Sequence, residues 1–156
     1  MNVPVTIRVQ AEAFDAAAEQ ALLVAGRSDI GAVVAFTGLC RSEDGRLAAL
    51  ELEHYPGMAE AEIARVAESA LARWPVLGLT AIHRYGTIVP GEGIVLVIVA
   101  SSHRQAAFEA AEFLMDFLKT RAPFWKKEHD RNGNAGGWVD ARETDDAAAA
   151  RWGGTE

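Results

Sequence analysis

The sequence predicts an α+β fold with a mainly antiparallel sheet and three main helices. Strand and helix patterns follow one another as β-α-β-β-α-β-β-α-β-β. Successive strands joined by helices are the mark of antiparallel pairing rather than of a doubly wound parallel sheet. Neither GxGxxG nor GxxxxGK(S/T) occurs, so a nucleotide-binding parallel fold has no support. A length of 156 residues suits one domain with a full hydrophobic core.

The elements are read in chain order. Val3 to Val9 alternates β-branched residues with Pro4, Thr6 and Arg8, which predicts a strand at a sheet edge. Ala11 to Ala25 is Ala-rich and is followed by Gly26, a helix with its C′ glycine. Gly31 to Thr37 is a short apolar strand, buried on both faces or at an interface. A polar loop from Gly38 to Arg46, turning at Asp44-Gly45, leads to a strand over Leu47 to His54. These two strands are expected to form a hairpin with a charged tip. Met58 to Trp74 carries Ile63, Val66, Ala67, Ala70, Leu71 and Trp74 at helical spacing, and Pro75 stops it. Leu77 to Tyr85 is a strand, Thr87 to Gly93 a turn, and Ile94 to Ala100 the most apolar strand, expected at the centre. Ser102 and Gln105 have capping-box spacing at the head of a helix that runs to Lys119, with Phe108, Ala111, Met115 and Leu118 as its stripe. Pro123 ends that helix. Phe124 to Glu128 and Trp138 to Ala141 are two short strands around a Gly-rich turn. The single domain spans 1–143, and 144–156 is expected to be a flexible tail.

Charge and cysteine usage exclude several classes. A net charge of −7 argues against a general nucleic-acid or anionic-membrane binder. Cys40 is the sole cysteine, which rules out an internal disulfide or a multi-cysteine metal site. No hydrophobic run reaches membrane-spanning length or has signal-peptide flanks, so the chain is expected to be cytoplasmic. The histidines at 54, 83, 103 and 129 lack HxH or HxxxH spacing, so no metal site is expected, and no G-x-S-x-G elbow is present. His54 and His83 read as strand residues with satisfied hydrogen bonds.

Against this acidic background, Lys119 to Lys127 places four cations in nine residues around Pro123. A helix that ends in lysine, turns at proline and returns with a second lysine can aim Lys119 and Lys126 at one point. Met115 and Lys119 share a helix face, so partial desolvation of Lys119 is expected. The stretch is either an anion site with reactive lysines or a solvated helix end, since cations also collect at helix C-termini. Ser101-Ser-His-Arg104 sits at a predicted helix N-terminus, where free N–H groups and the dipole attract anions; His103 and Arg104 add donors. Arg41 follows the apolar strand beside Cys40, which is read as structural because no histidine is paired with it.

The blocks Phe36-Thr-Gly38 with Arg41, Leu52 to Met58, Ile82 to Gly86, Ser102 to Arg104, Phe108 to Ala110, Met115 to Glu128 and Trp138 to Arg142 occur in one order across the chain. In that order they resemble the large, catalytic subunit of molybdopterin synthase, the MoaE family. Lys-Thr-Arg-Ala-Pro-Phe-Trp-Lys is the most specific of them. The resemblance implies an α/β-hammerhead fold and a homodimer. It implies a small ubiquitin-like partner whose C-terminal Gly-Gly carries a thiocarboxylate, giving a heterotetramer. It implies cyclic pyranopterin monophosphate as substrate and a sulfurtransferase reaction that forms the molybdopterin dithiolene without metal or redox cofactor. Lys119 and Lys126 match the family's essential lysines: Lys119 at the thiocarboxylate, Lys126 in substrate positioning or proton transfer. His103 and Arg104 match the phosphate and pterin pocket. Arg41 matches an arginine reaching that pocket, in the family from the neighbouring subunit, and Arg142 one close to it. Phe36 and Met115 match the lining of the tail channel. Leu39-Cys40 departs from the more polar character expected there. A non-catalytic scaffold docking a ubiquitin-like protein is the alternative of a different class.

Overall fold

The computed structural model of the chain describes residues 3–121, 123–133, 135–139, 150 and 152–153. The elements are β1 (Val5–Gln10), α1 (Ala16–Val24), β2 (Ala32–Leu39), β3 (Leu47–His54), α2 (Met58–Arg73), β4 (Val76–Arg84), β5 (Gly86–Ile88), β6 (Gly93–Ser101), α3 (Arg104–Leu118), β7 (Phe124–Asp130) and β8 (Ala135–Val139). Among the described residues the strands form two four-stranded sheets, ordered β1-β4-β6-β2 and β5-β3-β7-β8. All pairings are antiparallel except β1 with β4. The α+β expectation, with three helices and mainly antiparallel sheets, is met.

The first sheet is covered on both faces. Leu79, Ala81, Val95, Val97 and Val99 meet α2 and α3 through Ile63, Val66, Ala70, Phe113, Leu114 and Phe117. On the opposite face, Ile82, Leu96, Ile98 and Ala100 meet Leu23 of α1. A strand covered on both faces needs a continuous apolar run, which is what Ile94 to Ala100 supplies. β6 accordingly lies inside the sheet between β4 and β2, and β1 is an edge strand as its proline predicts. The second sheet has its own smaller core of Cys40, Leu47, Leu50, Leu52 and Ile88.

Several expectations are corrected. The hairpin between β2 and β3 does not form: β2 pairs β6, while β3 pairs β5 and β7. The loop after β2, with positive φ at Glu43, Asp44 and Gly45, instead carries the chain from one sheet to the other. β2 itself is not buried on both faces, since Phe36 and Leu39 are exposed in the single chain. Gly86 to Ile88, expected within or beside a turn, is a short strand on the edge of β3. α1 begins at Ala16 because the Asp15 carboxylate accepts from the Ala18 N–H at 3.0 Å and caps it there. The Ser102 capping box is absent: His103 is the N-cap residue of α3 and makes no side-chain cap bond. Phe108 is exposed, and the buried stripe of α3 runs instead through Ala106, Ala107, Ala110, Ala111, Phe113, Leu114, Phe117 and Leu118. β8 starts earlier than predicted, at Ala135; residues 140 and 141 lie outside the described residues.

Two glycines hold the connections. Gly57 takes φ 85 ahead of α2, and its N–H donates to the Glu60 carboxylate at 2.8 Å. A Cβ on Gly31 would lie 2.1 Å from the Ser102 carbonyl oxygen, so only glycine lets β2 begin against the head of α3. Near the chain end, Trp152 packs edge-on against Trp74 and Phe113, with Arg73 beside it. Of the segment expected to be a flexible tail, most lies outside the described residues, but Trp152 is docked.

Phe113 is fully buried, with the Trp74 ring at 5.2 Å and the Phe117 ring at 4.9 Å between centroids. Phe113→Ala is expected to lower stability by about 3–5 kcal/mol in urea unfolding. A loss below about 1 kcal/mol would contradict the placement of α3 on the sheet.

Candidate active site

A cavity of about 240 Å³ opens where the two sheets adjoin. Its apolar part comes from Leu47, Leu50, Ile94 and the buried Cys40. Its charged part comes from Arg41, Lys119 and Lys126, set against Glu43 and Glu128. Three separate elements therefore deliver cations to one place.

Each cation has a local reason for its position. Lys119 is the C-cap residue of α3, where its backbone N–H donates to the Met115 and Phe117 carbonyls. Thr120 follows, its hydroxyl donating to the Asp116 carbonyl at 3.1 Å, and the Arg121 N–H donates to Phe117 at 2.7 Å. These bonds close the helix in a tight last turn. Pro123 then precedes β7. In β7 alternate residues share a face, so Phe124, Lys126 and Glu128 lie in one row. They stand opposite His54, Leu52 and Leu50 of β3. Arg41 reaches the cavity from the loop after β2.

The two carboxylates tune this charge. Arg41 Nη2 lies 3.2 Å from Glu43 Oε1, and Arg46 Nη2 lies 3.0 Å from Glu128 Oε1. Cations in the cavity thus face fixed anions rather than only each other. The sequence reading missed both. The strand alternation that paired Phe124 with Lys126 also implied Glu128, while Glu43, two residues from Arg41 on a loop, carried no such signal. Cys40 is inert: burial, then the charges of Glu92, Glu43 and Glu128, push its thiol up. Its sulfur rests near the Ile88 carbonyl, and the structural reading of this cysteine holds.

The remaining candidate residues divide. Arg41 lines the cavity with the lysines of its own chain, not with those of a neighbour. Lys119 is exposed in the single chain, so the expected desolvation is not seen there; Lys126 is partly buried. His103 and Arg104 are exposed at the opposite end of α3. Fifteen residues at 1.5 Å each separate them from Lys119 by about 22 Å. One chain therefore does not bring them together. Phe36 is exposed on β2 and Met115 is partly buried under α3; neither borders the cavity. Arg142 lies outside the described residues. Among the described residues no group of three or more His, Cys, Asp or Glu could hold a metal ion.

Beside the cavity an aromatic stack joins the two sheets. His83 of β4 lies flat on Phe124 of β7, with ring centroids 3.7 Å apart and planes at 16°. Phe124 is flanked by His54 at 5.9 Å, and His54 by Tyr85 at 4.4 Å. His83 Nδ1 is 2.8 Å from the Arg84 carbonyl oxygen. A carbonyl only accepts, so Nδ1 carries the proton.

Comparison with known proteins agrees with this geometry. The sequence profile of the family described as "MoaE protein" matches residues 9–121. The molybdopterin synthase catalytic subunit of Mesorhizobium japonicum is 68% identical over 147 residues, 94% of this chain and 92% of its own length. Its counterpart from Brucella melitensis is 64% identical over 149 residues, 96% of this chain and 91% of its own. Among solved structures, the molybdopterin biosynthesis MoaE protein from Burkholderia ambifaria is similar at a TM-score of 0.83 and 49% identity, over 96% of this chain and 99% of that one.

The His83 stack makes stability depend on acid. Burial, the largest effect, with Lys119 and His54 adding to it, lowers the His83 pKa from 6.5 to about 4. Between those values the unfolded chain binds a proton that the folded chain does not. The stabilisation is therefore complete above pH 6.5 and is lost as pH falls toward 4, up to about 3 kcal/mol. Replacing His83 by Phe is expected to flatten urea-unfolding stability across this window. An unchanged slope would contradict a neutral buried imidazole.

Proposed function

The chain belongs to the MoaE family, and on that premise we propose that it is the catalytic subunit of a molybdopterin synthase. It takes sulfur from the thiocarboxylated C-terminus of a small ubiquitin-like subunit and delivers it to cyclic pyranopterin monophosphate, forming the molybdopterin dithiolene. The observation that carries the reading is the convergence of Arg41, Lys119 and Lys126 on one cavity, in a chain whose close relatives bear that enzyme's name.

The chemistry asks for what this cavity offers. The substrate is a phosphate, and sulfur transfer from an acyl carbon passes through anionic oxygen and sulfur species. Preorganised cations stabilise charge that develops in the transition state. In this reading Lys119 faces the thiocarboxylate, and Lys126 positions the substrate or transfers a proton. Arg41 exchanges its Glu43 partner for the substrate's anion. The buried Leu47, Leu50 and Ile94 keep that side of the cavity dry, which strengthens each charge interaction. Phe36 and Met115 are assigned to the channel for the Gly-Gly tail, and Arg142 to the edge of the pocket.

His103 and Arg104 enter the site only from a second copy. A closed two-fold dimer places the same patch of each subunit against the other. Such an arrangement sets the head of one α3 near the tail of its mate and gives two composite pockets. Phe36 and Leu39, exposed on the free edge strand β2, are the apolar surface available to such a contact. No described helix is long and apolar enough to cross a membrane. We place the reaction in the cytoplasm.

Two experiments test this. In a reconstituted assay with thiocarboxylated small subunit and cyclic pyranopterin monophosphate, Lys119→Ala is expected to lower kcat by about a hundredfold or more. Full activity in that variant would remove the lysine from the chemistry. Mixing inactive Lys119→Ala and Arg104→Ala subunits is expected to restore about a quarter of the wild-type sites, because half the dimers then hold one intact composite pocket. No restoration, with exchange of subunits verified, would place all groups in one chain.

A further inference from the structure

We infer that His83 is a positioning residue for Lys119: its Nε2 accepts a hydrogen bond from the Lys119 ammonium and holds that group toward the cavity. The inference rests on the proposed role of Lys119 but stands on different observations. The first is the tautomer. With Nδ1–H donated to the Arg84 carbonyl, Nε2 keeps a bare lone pair, and among the described residues no protein group donates to it. A partly buried acceptor without a donor costs free energy, so the position implies a partner.

The second observation is orientation. The ring is stacked on Phe124 and cannot tip without breaking that contact. Phe124 is itself paired with His54 and stands two residues before Lys126 in the same row of β7. His83 therefore sits where the first sheet meets the strand that carries the second lysine.

The third is proximity of the right kind of group. Along β4, His83 follows Ala81 on the face that packs against α2 and α3, and its register partner is Val95 of the same cluster. Phe117 and Leu118, the last turn of α3, belong to that cluster, and Lys119 is the next residue. The charged groups acting on the ring are Lys119 and the His54 imidazole; the Arg84 guanidinium is turned away to the carbonyls of Ala11 and Gly93. Lys119 is thus the donor within reach of an imidazole that stays unprotonated at neutral pH. A neutral acceptor can restrain an ammonium without removing its charge, which a carboxylate at this point would do.

Two readouts separate this from a purely structural histidine. In nitrogen-15 NMR of the full chain, the His83 Nε2 resonance is expected at the position of a hydrogen-bonded lone-pair nitrogen, shifting toward a free one in Lys119→Met. Lys119 is exposed, so that variant should fold. A resonance that does not move would overturn the inference whatever the enzyme assay shows. In the reconstituted assay, His83→Phe keeps the flat ring but has no acceptor. It is expected to lower kcat about ten- to hundredfold with KM within about twofold. His83→Gln, whose amide oxygen replaces Nε2 as acceptor, should recover most of that loss. Equal losses in both variants, or none in His83→Phe, would contradict it. Should Lys119→Ala prove fully active while the NMR shift is present, the reading of function fails and the hydrogen bond stands.

Discussion

The site depends on the antiparallel ladder between β3 and β7. It runs from His54 opposite Phe124 to Leu47 opposite Asp130. α3 ends with Lys119 on the first sheet, and only this ladder returns the chain so that Lys126 faces the same cavity. The ladder also aligns Leu52 and Leu50 beneath Lys126 and Glu128, giving the cations an apolar backing. Its start is secured across the sheets by Phe124 lying on His83. A slip of one residue would turn Lys126 to the outer face, where Trp125, Lys127 and His129 now lie, and the site would vanish.

Around this ladder, the fold separates rigidity from chemistry. The first sheet, covered by α1 on one face and by α2 and α3 on the other, holds most of the buried apolar residues. The cavity forms at its margin, where the second sheet with its smaller core leans against Ile94. Cations placed there do not disturb the main core. Their charge is balanced by Glu43 and Glu128, which explains how an acidic chain with net charge −7 maintains a local anion site. Two weak, partly exposed ion pairs contribute little to stability, and so can be exchanged for a substrate at small cost.

Much of this was legible from the sequence because each signal was physically local. The run Ile94 to Ala100 demanded two covered faces, and Gly26 and Pro75 marked where α1 and α2 end. The lysines bracketing Pro123 pointed to a convergent site. What escaped was settled by long-range pairing or by competition among local groups. Asp44-Gly45 made a turn, but β2 found its partner in β6, whose apolar run offered more burial than β3. Ser102 had the spacing of a cap, yet the chain stays extended through His103, with φ −132 and ψ 152, so the helix starts one residue later. The carboxylates of the cavity and the free nitrogen of His83 gave no pattern, because their meaning lies in what the other sheet brings beside them. The resemblance fixed the identity of the site residues; the fold divided them between the two ends of α3.

The account's central claim is that the cavity beneath Lys119 and Lys126 receives the anionic substrate. A structure of the assembled protein with cyclic pyranopterin monophosphate bound tests it directly. The claim predicts the substrate's phosphate in hydrogen-bonding contact with Arg41 or Lys126, the Arg41–Glu43 pair opened, and Lys119 turned toward the pterin. A substrate bound at a distance from both lysines, with the Arg41–Glu43 pair intact, would contradict it.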